Sequence, residues 1–192
     1  YTEATISAWI KPTATGASPG NPFMASGVGH YWVQNGQWSA YYPAQSMNFG
    51  SQYSGPNIYQ QDEWTHIVIT IDDNATNSDG TLGTQKMYID GQWVQFCGYP
   101  GCTLGPGTTT NSFGKSASSV LSSIILGGHN HLNQSFKYPF EGHLDEWTSW
   151  NKVADAAEIE ALFHGTPQDA IDANGAASGL TKDNLLNYFD FE

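Results

Sequence analysis

The sequence predicts an all-β protein, a two-sheet antiparallel β-sandwich with one short α-helix near residues 155–164. Composition is the first reason: 12% of the 192 residues are charged, 14% are aromatic and 21 are glycines, a balance typical of strands joined by turns. The second reason is a succession of short apolar stretches separated by turn signals. No linker or internal repeat divides the chain, so we predict a single domain over residues 1–192.

The first strand is predicted over residues 4–11. Ile6, Ala8 and Ile10 alternate with other residues, which places them on one face, and Pro12 ends the pattern. Shorter strands are predicted over residues 23–28 and 31–33. The aromatic tract 36–59 is interpreted as short strands joined by loops.

The clearest strand is predicted over residues 64–71, where β-branched side chains dominate. Ile67, Ile69 and Ile71 share one face of it. An acidic polar loop is predicted over 72–80, and a hairpin over 86–94 turns at Asp90-Gly91. The core is predicted to include Trp9, Trp64 and Trp147.

The last third of the chain contains the predicted helix. A strand over 123–126 ends at Gly127-Gly128, and another precedes the break at residues 151–152. Asp155 stands three residues before Glu158, the spacing of a capping box, and an apolar stripe follows before Gly165. Pro167 is expected to stop any continuation, so residues 168–179 are predicted to be irregular. A final strand is predicted over 185–191.

The charge balance excludes two classes of partner. The formal net charge is −12 and the chain has 6 basic residues, none of them arginine. Nucleic acids and anionic membrane surfaces need a basic footprint, and no apolar run reaches the length of a transmembrane helix. The same charge balance fits an extracellular setting. The chain opens directly on a predicted strand, so we expect a mature or excised piece of a longer polypeptide.

Two cysteines support the extracellular assignment. Cys97 and Cys102 flank Gly-Tyr-Pro-Gly, whose turn would bring the two thiols within bonding distance. We predict a disulfide that pins a loop tip. The alternative is a pair of reduced thiols in a loop.

Four segments, in order, resemble the laminin-G-like jelly rolls of the concanavalin A-like lectin/glucanase superfamily. They are Thr5–Pro12 (TISAWIKP), Trp64–Asp72 (WTHIVITID), Met87–Gly91 (MYIDG), and Gly142–Trp147 (GHLDEW) followed by Ala156–Ile159 (AAEI). The resemblance implies a concanavalin A-like jelly roll. The closing segment 186–192 resembles the strand that usually begins such domains. We expect it to complete the sandwich from the C-terminal side; alternatively, it begins a further domain.

The resemblance also implies a structural calcium ion. An aspartate at the position of Asp145 commonly binds calcium at the sandwich edge, and Ca²⁺ takes six to eight oxygen ligands. Loop carbonyls would supply others, and Glu146 is expected to be a structural hydrogen-bond acceptor. The alternative is that Asp145 caps a backbone turn.

Two further metal candidates are weaker. The acidic loop residues Asp72, Asp73, Asn74, Asn77 and Asp79 lack the spacing of an EF-hand, so a solvated polar loop is predicted there. His129 and His131, with His143, offer nitrogen ligands for zinc. The glycines before them indicate a turn, so polar loop histidines or contacts to a sugar hydroxyl are favoured.

Aromatic and amide side chains are the strongest ligand signal. Sugars stack their C–H faces on aromatic rings and bind amides and carboxylates through their hydroxyl groups. The predicted glycan-binding residues are Tyr31, Trp32, Trp38, Tyr41, Tyr42, Tyr53, Asn48, His129 and His131. The alternative for many of these aromatic residues is that they fill the core.

No catalytic constellation is predicted. The enzymes of the resembled superfamily have E-x-D-x-x-E on one strand; here Glu141 and Asp145 share a face, but His143 stands between them where an acid is needed. The sequence therefore favours a non-catalytic glycan-binding or adhesion module at a cell or virion surface, stabilised by calcium. The alternative is a structural or protein-interaction domain, a spacer or decoration module beside neighbouring domains of a larger extracellular assembly.

Overall fold

The computed structural model describes residues 1–13, 23–25, 29–34, 37–42, 47–48, 61–76, 82–94, 117, 121, 124–127, 140–173 and 179–191. The described strands form two sheets. In chain order they are β1 (Glu3–Pro12), β2 (Phe23–Ala25), β3 (Gly29–Gln34), β4 (Gln37–Tyr42), β5 (Met47–Asn48), β6 (Thr65–Thr76), β7 (Leu82–Ile89), β8 (Gln92–Val94), β9 (Ile124–Leu126), β10 (Gly142–Trp150) and β11 (Leu185–Phe189).

The larger sheet has the strand order β11-β10-β1-β6-β7-β8, and the smaller has the order β5-β4-β3-β2-β9. Every described pairing is antiparallel. The predicted all-β, two-sheet architecture is confirmed. The final strand was expected to complete the sandwich, and β11 does so by pairing with β10 at the edge of the larger sheet.

The central strands of the larger sheet are buried on both faces. Ile6, Ile67 and Ile69 are at most 2% exposed on one face, as the alternation predicted. On the other face, Val68 and Trp150 are fully buried beneath a helical layer. This two-sided burial explains why β6 reads as a nearly continuous run of β-branched residues.

The helical layer begins with α1 (Ala156–His164), as predicted. The Asp155 side chain accepts hydrogen bonds from the backbone N–H groups of Ala157 and Glu158, and Glu158 completes the capping box. Ile159 and Leu162 pack against Val68 and Trp150 of the larger sheet. The apolar stripe of the helix therefore covers the sheet face opposite the isoleucines.

Three predictions about individual segments were wrong. Residues 167–172 form a second helix, α2 (Pro167–Asp172), because Thr166 caps it with Asp169 and Pro167 occupies the first turn, where its missing N–H costs nothing. Strand β6 continues through Thr76, so residues 72–76 are not a loop. Trp64 precedes β6 and is 43% exposed, so it lies outside the core.

The predicted hairpin is confirmed. β7 and β8 pair with Ile89 opposite Gln92, and the two turn residues have φ values of 48° at Asp90 and 73° at Gly91. Positive φ at both central positions is the geometry of a type I′ turn, which suits the twist of paired strands. Among the described residues, no helix is long and apolar enough to cross a membrane.

Candidate functional site

Six of the nine predicted glycan-binding residues lie on three neighbouring strands of the smaller sheet. Tyr31 and Trp32 are on β3, Trp38, Tyr41 and Tyr42 are on β4, and Asn48 is on β5. In the strand register, Tyr41 lies opposite Asn48 and Trp32 lies opposite Ser39. Residues separated by as many as 17 positions in the sequence are thus brought onto one part of the sheet.

The other predicted binding and disulfide residues lie outside the described part of the chain. These are Tyr53, His129, His131, Cys97 and Cys102. The proposed zinc partner His143 is described and exposed, and its ring lies 6.3 Å from that of Trp64. Zinc binding at the histidines and the disulfide stay predictions.

Asp145 lies beside a β-bulge in β10. Ser7 pairs with Thr148 and Trp9 pairs with Asp145, so the single residue Ala8 faces two residues of β10. One of these two is Glu146, whose φ of 45° is in the left-handed region that a non-glycine residue rarely adopts. The bulge bends the backbone of β10 at Asp145 and Glu146, where β10 lies between β1 and β11.

The Asp145 carboxylate ties this bulge to the end of the chain. Its Oδ1 accepts the backbone N–H of Glu146 at 2.8 Å and that of Phe191 at 3.3 Å. This is the arrangement expected of an aspartate that caps a backbone turn. A carboxylate oxygen used in this way can also bind a cation, because it has more than one lone pair.

Two other carboxylates act on the charge of Glu146. The pKa of Glu146 is raised by partial burial, and then by the negative charges of Asp145 and Asp190. Carboxylates are the ligands that calcium prefers. Within the described ranges, however, no three His, Cys, Asp or Glu side chains converge to hold a metal ion. A calcium ion here would therefore need backbone, loop or water oxygens to complete its shell.

The acidic residues at the end of β6 have local structural partners. Asp72 Oδ1 accepts the N–H groups of Asn74 and Ala75 at 2.9 and 3.1 Å. Both carboxylate oxygens of Asp73 accept the N–H of Ala117, at 3.1 and 2.9 Å. These bonds fasten the end of β6, and the remaining members of that candidate set, Asn77 and Asp79, lie outside the described residues.

The structure also contains a serine–histidine pair that sequence reasoning missed. Ser7 Oγ lies 2.8 Å from His66 Nε2, although 59 positions separate the two residues. Ser7 is 3% and His66 is 1% exposed, and Trp9 and Phe163 enclose the imidazole. A substrate cannot reach this pair, so its role is to connect β1 and β6 within the sheet.

Exposed aromatic residues at the sheet edges were also missed. Tyr188, Phe189 and Phe191 are 43 to 50% exposed, and the rings of Phe189 and Phe191 stack at 6.2 Å. On the opposite edge, Trp93 of β8 is 38% exposed. The sequence predicts strands at both places, but an edge position, and hence the exposure, depends on the strand order.

Solved structures that resemble this chain share its fold. A proposed carbohydrate-binding protein of Bacteroides ovatus ATCC 8483 matches with a TM-score of 0.58 and 13% identity, over 99% of this chain and 45% of the other. A native heptameric SAP-like pentraxin of Limulus polyphemus matches with a TM-score of 0.51 and 12% identity, over 98% and 80%. A mutant Trypanosoma rangeli sialidase displaying trans-sialidase activity matches with a TM-score of 0.51 and 18% identity, over 88% and 23%.

The TM-scores show a shared fold, and at 12 to 18% identity these matches assign no activity. The chain spans less than half of the Bacteroides ovatus protein that it matches. No curated protein matches the sequence. A family model described as the concanavalin A-like lectin/glucanases superfamily matches residues 2–160. Its match extends from β1 into α1 and includes all four sequence segments that suggested this relationship, so the chain belongs to the concanavalin A-like lectin/glucanases superfamily.

Proposed function

We propose that this chain is a non-catalytic glycan-binding or adhesion module of a cell or virion surface, stabilised by calcium. One observation carries the proposal: in a domain of this superfamily, six predicted sugar-binding residues are gathered on β3, β4 and β5. The structurally similar Bacteroides ovatus protein, itself a proposed carbohydrate-binding protein, supports the same function.

The chemistry of these strands suits a saccharide. Aromatic rings are the residue type that stacks on sugar C–H groups, and an asparagine amide both donates to and accepts from hydroxyl groups. Strands β3, β4 and β5 together carry both residue types. The net charge of −12 disfavours acidic glycans at long range. A neutral glycan is the expected ligand class.

Calcium is proposed at the bulge of β10. Asp145 and Glu146, with Asp190 nearby, concentrate negative charge that a divalent cation would neutralise. Asp145 would be one ligand, and backbone or loop oxygens would supply the rest of the shell. The ion would stabilise the junction of β10 and β11, which Asp145 already joins through Phe191.

The non-catalytic and extracellular parts of the proposal rest on the sequence. Glu141 and Asp145 lack a third acid at the intervening position, where His143 stands, so the spacing of the glycosidase motif is missing. The predicted Cys97–Cys102 disulfide and the scarcity of basic residues favour an extracellular setting.

A glycan array run in calcium and again in a chelator tests the function directly. Binding of a subset of neutral glycans is expected, and Trp38→Ala should weaken it by roughly tenfold, the loss expected of an aromatic hot spot. Trp64→Ala removes an exposed ring elsewhere and is the matched control. A protein that is folded by circular dichroism but binds no glycan under either condition would refute the proposal.

The exposed ring pair at the C-terminal end of β11 favours the alternative, a protein-interaction domain. Phe189 ends the edge strand β11, and Phe191 follows it by two residues. Unpaired backbone groups and apolar rings at such an edge suit association with another polypeptide. Sedimentation of the wild type and of Phe189→Ser over a concentration range tests this alternative through self-association.

A further inference from the structure

A cavity opens on the helix-bearing face of the larger sheet. Its volume is about 430 Å³, and it lies between β6, β7 and the segment 153–156 that leads into α1. Its polar lining residues include Thr70, Asp72, Thr84, Lys86, Tyr88 and Asp155. The volume falls in the range of small-molecule sites, roughly 300–1,000 Å³. We call this space the Lys86 cavity; it lies on a different sheet from the residues of β3–β5.

The strand register places an exposed tryptophan beside this cavity. Trp93 of β8 lies opposite Tyr88 of β7, so their side chains share one face of the sheet. Lys86 lies two residues from Tyr88 and therefore shares that face, and its Nζ is 5.7 Å from the centroid of the Trp93 ring. Trp93 is 38% exposed, which leaves indole surface available to a ligand.

Several polar groups of the lining have no hydrogen-bond partner in the described part of the chain. These are the Thr70 and Thr84 hydroxyls, the Lys86 ammonium and the Tyr88 hydroxyl. Burial raises the pKa of Tyr88, so its hydroxyl stays protonated at neutral pH and can donate a hydrogen bond. Three hydroxyls and one ammonium thus face a cavity next to an aromatic ring.

The charges of the wall decide which ligand class fits. Asp72 and Asp155 contribute two negative charges and Lys86 one positive charge. An anionic sugar would meet a net repulsion, whereas a neutral sugar can exchange hydrogen bonds with both signs of charge. The hydroxyl-rich lining also disfavours a purely apolar ligand. Such a ligand would displace water from the cavity and leave the lining hydroxyls without hydrogen-bond partners.

We propose that the Lys86 cavity is a second saccharide subsite, which holds one or two units of a neutral glycan with a sugar ring stacked on Trp93. The inference rests on the proposed glycan-binding function and adds a subsite on the larger sheet to it. Lys86 and the Thr84 hydroxyl bind sugar hydroxyls, and Asp72 and Asp155 exclude sialylated or uronic-acid units.

Isothermal titration of the full chain with lactose, cellotriose and mannotriose tests the subsite, with 3′-sialyllactose as the acidic counterpart. A measurable Kd for a neutral sugar is expected, with weaker or no binding of the sialylated one. Trp93→Ala should raise that Kd by roughly tenfold, as loss of a ring contact does. Trp64→Ala is the matched control, because it removes a comparably exposed indole away from the cavity.

Thr84→Val is the second variant, because it deletes one cavity hydroxyl while keeping the shape of the side chain. It should raise the Kd for the neutral sugar several-fold without lowering the unfolding temperature. If Trp93→Ala does not fold, Thr84→Val takes its place in the test.

Neutral-sugar binding that is unchanged in the folded variants would overturn the subsite and leave the glycan-binding function intact. Stronger binding of 3′-sialyllactose than of lactose would overturn the ligand class. No binding by the wild type here and on the array would overturn the function itself.

Discussion

Glu158 accepts the backbone N–H of Leu180 through Oε1 at 2.7 Å, and thereby joins α1 to the segment that leads into β11. Its Oε2 accepts the N–H of Asp155 at 2.8 Å, which closes the capping box. The residue is fully buried. One carboxylate therefore satisfies two backbone donors from parts of the chain 25 positions apart.

Glu158→Gln is expected to lower the free energy of unfolding by about 1–3 kcal/mol, because one charged acceptor becomes an N–H donor that faces another donor. Urea denaturation at pH 7 measures the change. Glu160→Gln, on the exposed side of the same helix, is the control and should stay within about 0.5 kcal/mol of the wild type. Equal effects of the two substitutions would contradict the structural role of Glu158.

Stability should fall as the pH is lowered from about 6.5 to about 4. Burial lowers the pKa of His66 to about 4, and its Nδ1 has no hydrogen-bond partner among the described residues, so the folded protein favours the neutral ring. The unfolded chain binds a proton on this ring at pH values below about 6.5. Because the folded protein binds that proton only near pH 4, the free energy of unfolding falls by up to about 3 kcal/mol between these pH values. Glu3, whose pKa is lowered in the fold, adds its own loss at pH values below about 4.5.

Urea denaturation between pH 4 and pH 7 measures this dependence. His66→Leu should flatten the slope between pH 4.5 and 6.5, whatever its effect on stability at pH 7. His164→Ala, at the exposed end of α1, should keep the wild-type slope. A wild-type protein equally stable at pH 4.5 and pH 7 would contradict the prediction.

Gly91→Ala is expected to destabilise the contact between the β7–β8 hairpin and α1. Gly91 has a φ of 73°, and a Cβ there would lie 3.0 Å from Glu160 Oε2 and 3.2 Å from Phe163 Cδ1. Gly127→Ala is the matched control, since Gly127 has a φ of 75° but nothing within 4 Å of an added Cβ. Both substitutions should cost about 1 kcal/mol because alanine is strained at a positive φ. Gly91→Ala should cost more than Gly127→Ala because its Cβ is also crowded. Thermal unfolding that shows equal losses would rule out the crowding.

Glu146→Gly is expected to raise stability by roughly 1 kcal/mol in calcium-free buffer, because glycine carries no penalty for the left-handed backbone. Glu146→Gln separates the two effects, since it removes the charge but keeps the strained φ. If thermal unfolding shows Glu146→Gly to be less stable than Glu146→Gln, the strain is not the dominant cost.

Calcium should raise the unfolding temperature of the wild type, because an ion that binds only the folded state stabilises it. Asp145→Asn should abolish most of that rise, since the amide keeps one oxygen but loses the charge. Asp183→Asn, an exposed aspartate before β11, is the control. A melting temperature that calcium and chelator leave unchanged would remove calcium from the proposed function.

Local sequence patterns predicted the elements whose cause is local. Asp155 and Glu158 specify where α1 begins, Asp90-Gly91 specifies the hairpin turn, and the alternation in β1 and β6 specifies which residues share a face of the sheet. Each of these depends on residues within a few positions of one another. The missed helix α2 has a local cause as well: Thr166, Pro167 and Asp169 are a readable start signal, but the proline was interpreted as a stop.

Sequence alone determined the fold class, the order of the strands along the chain and the residues proposed to bind a sugar or a cation. The tertiary structure determined which other groups those residues contact. The edge position of β11, the bulge at Glu146, the Ser7–His66 pair and the Lys86 cavity all join segments far apart in the chain. Their geometry follows from strand order and register, which arise from long-range packing and which no short window of sequence encodes.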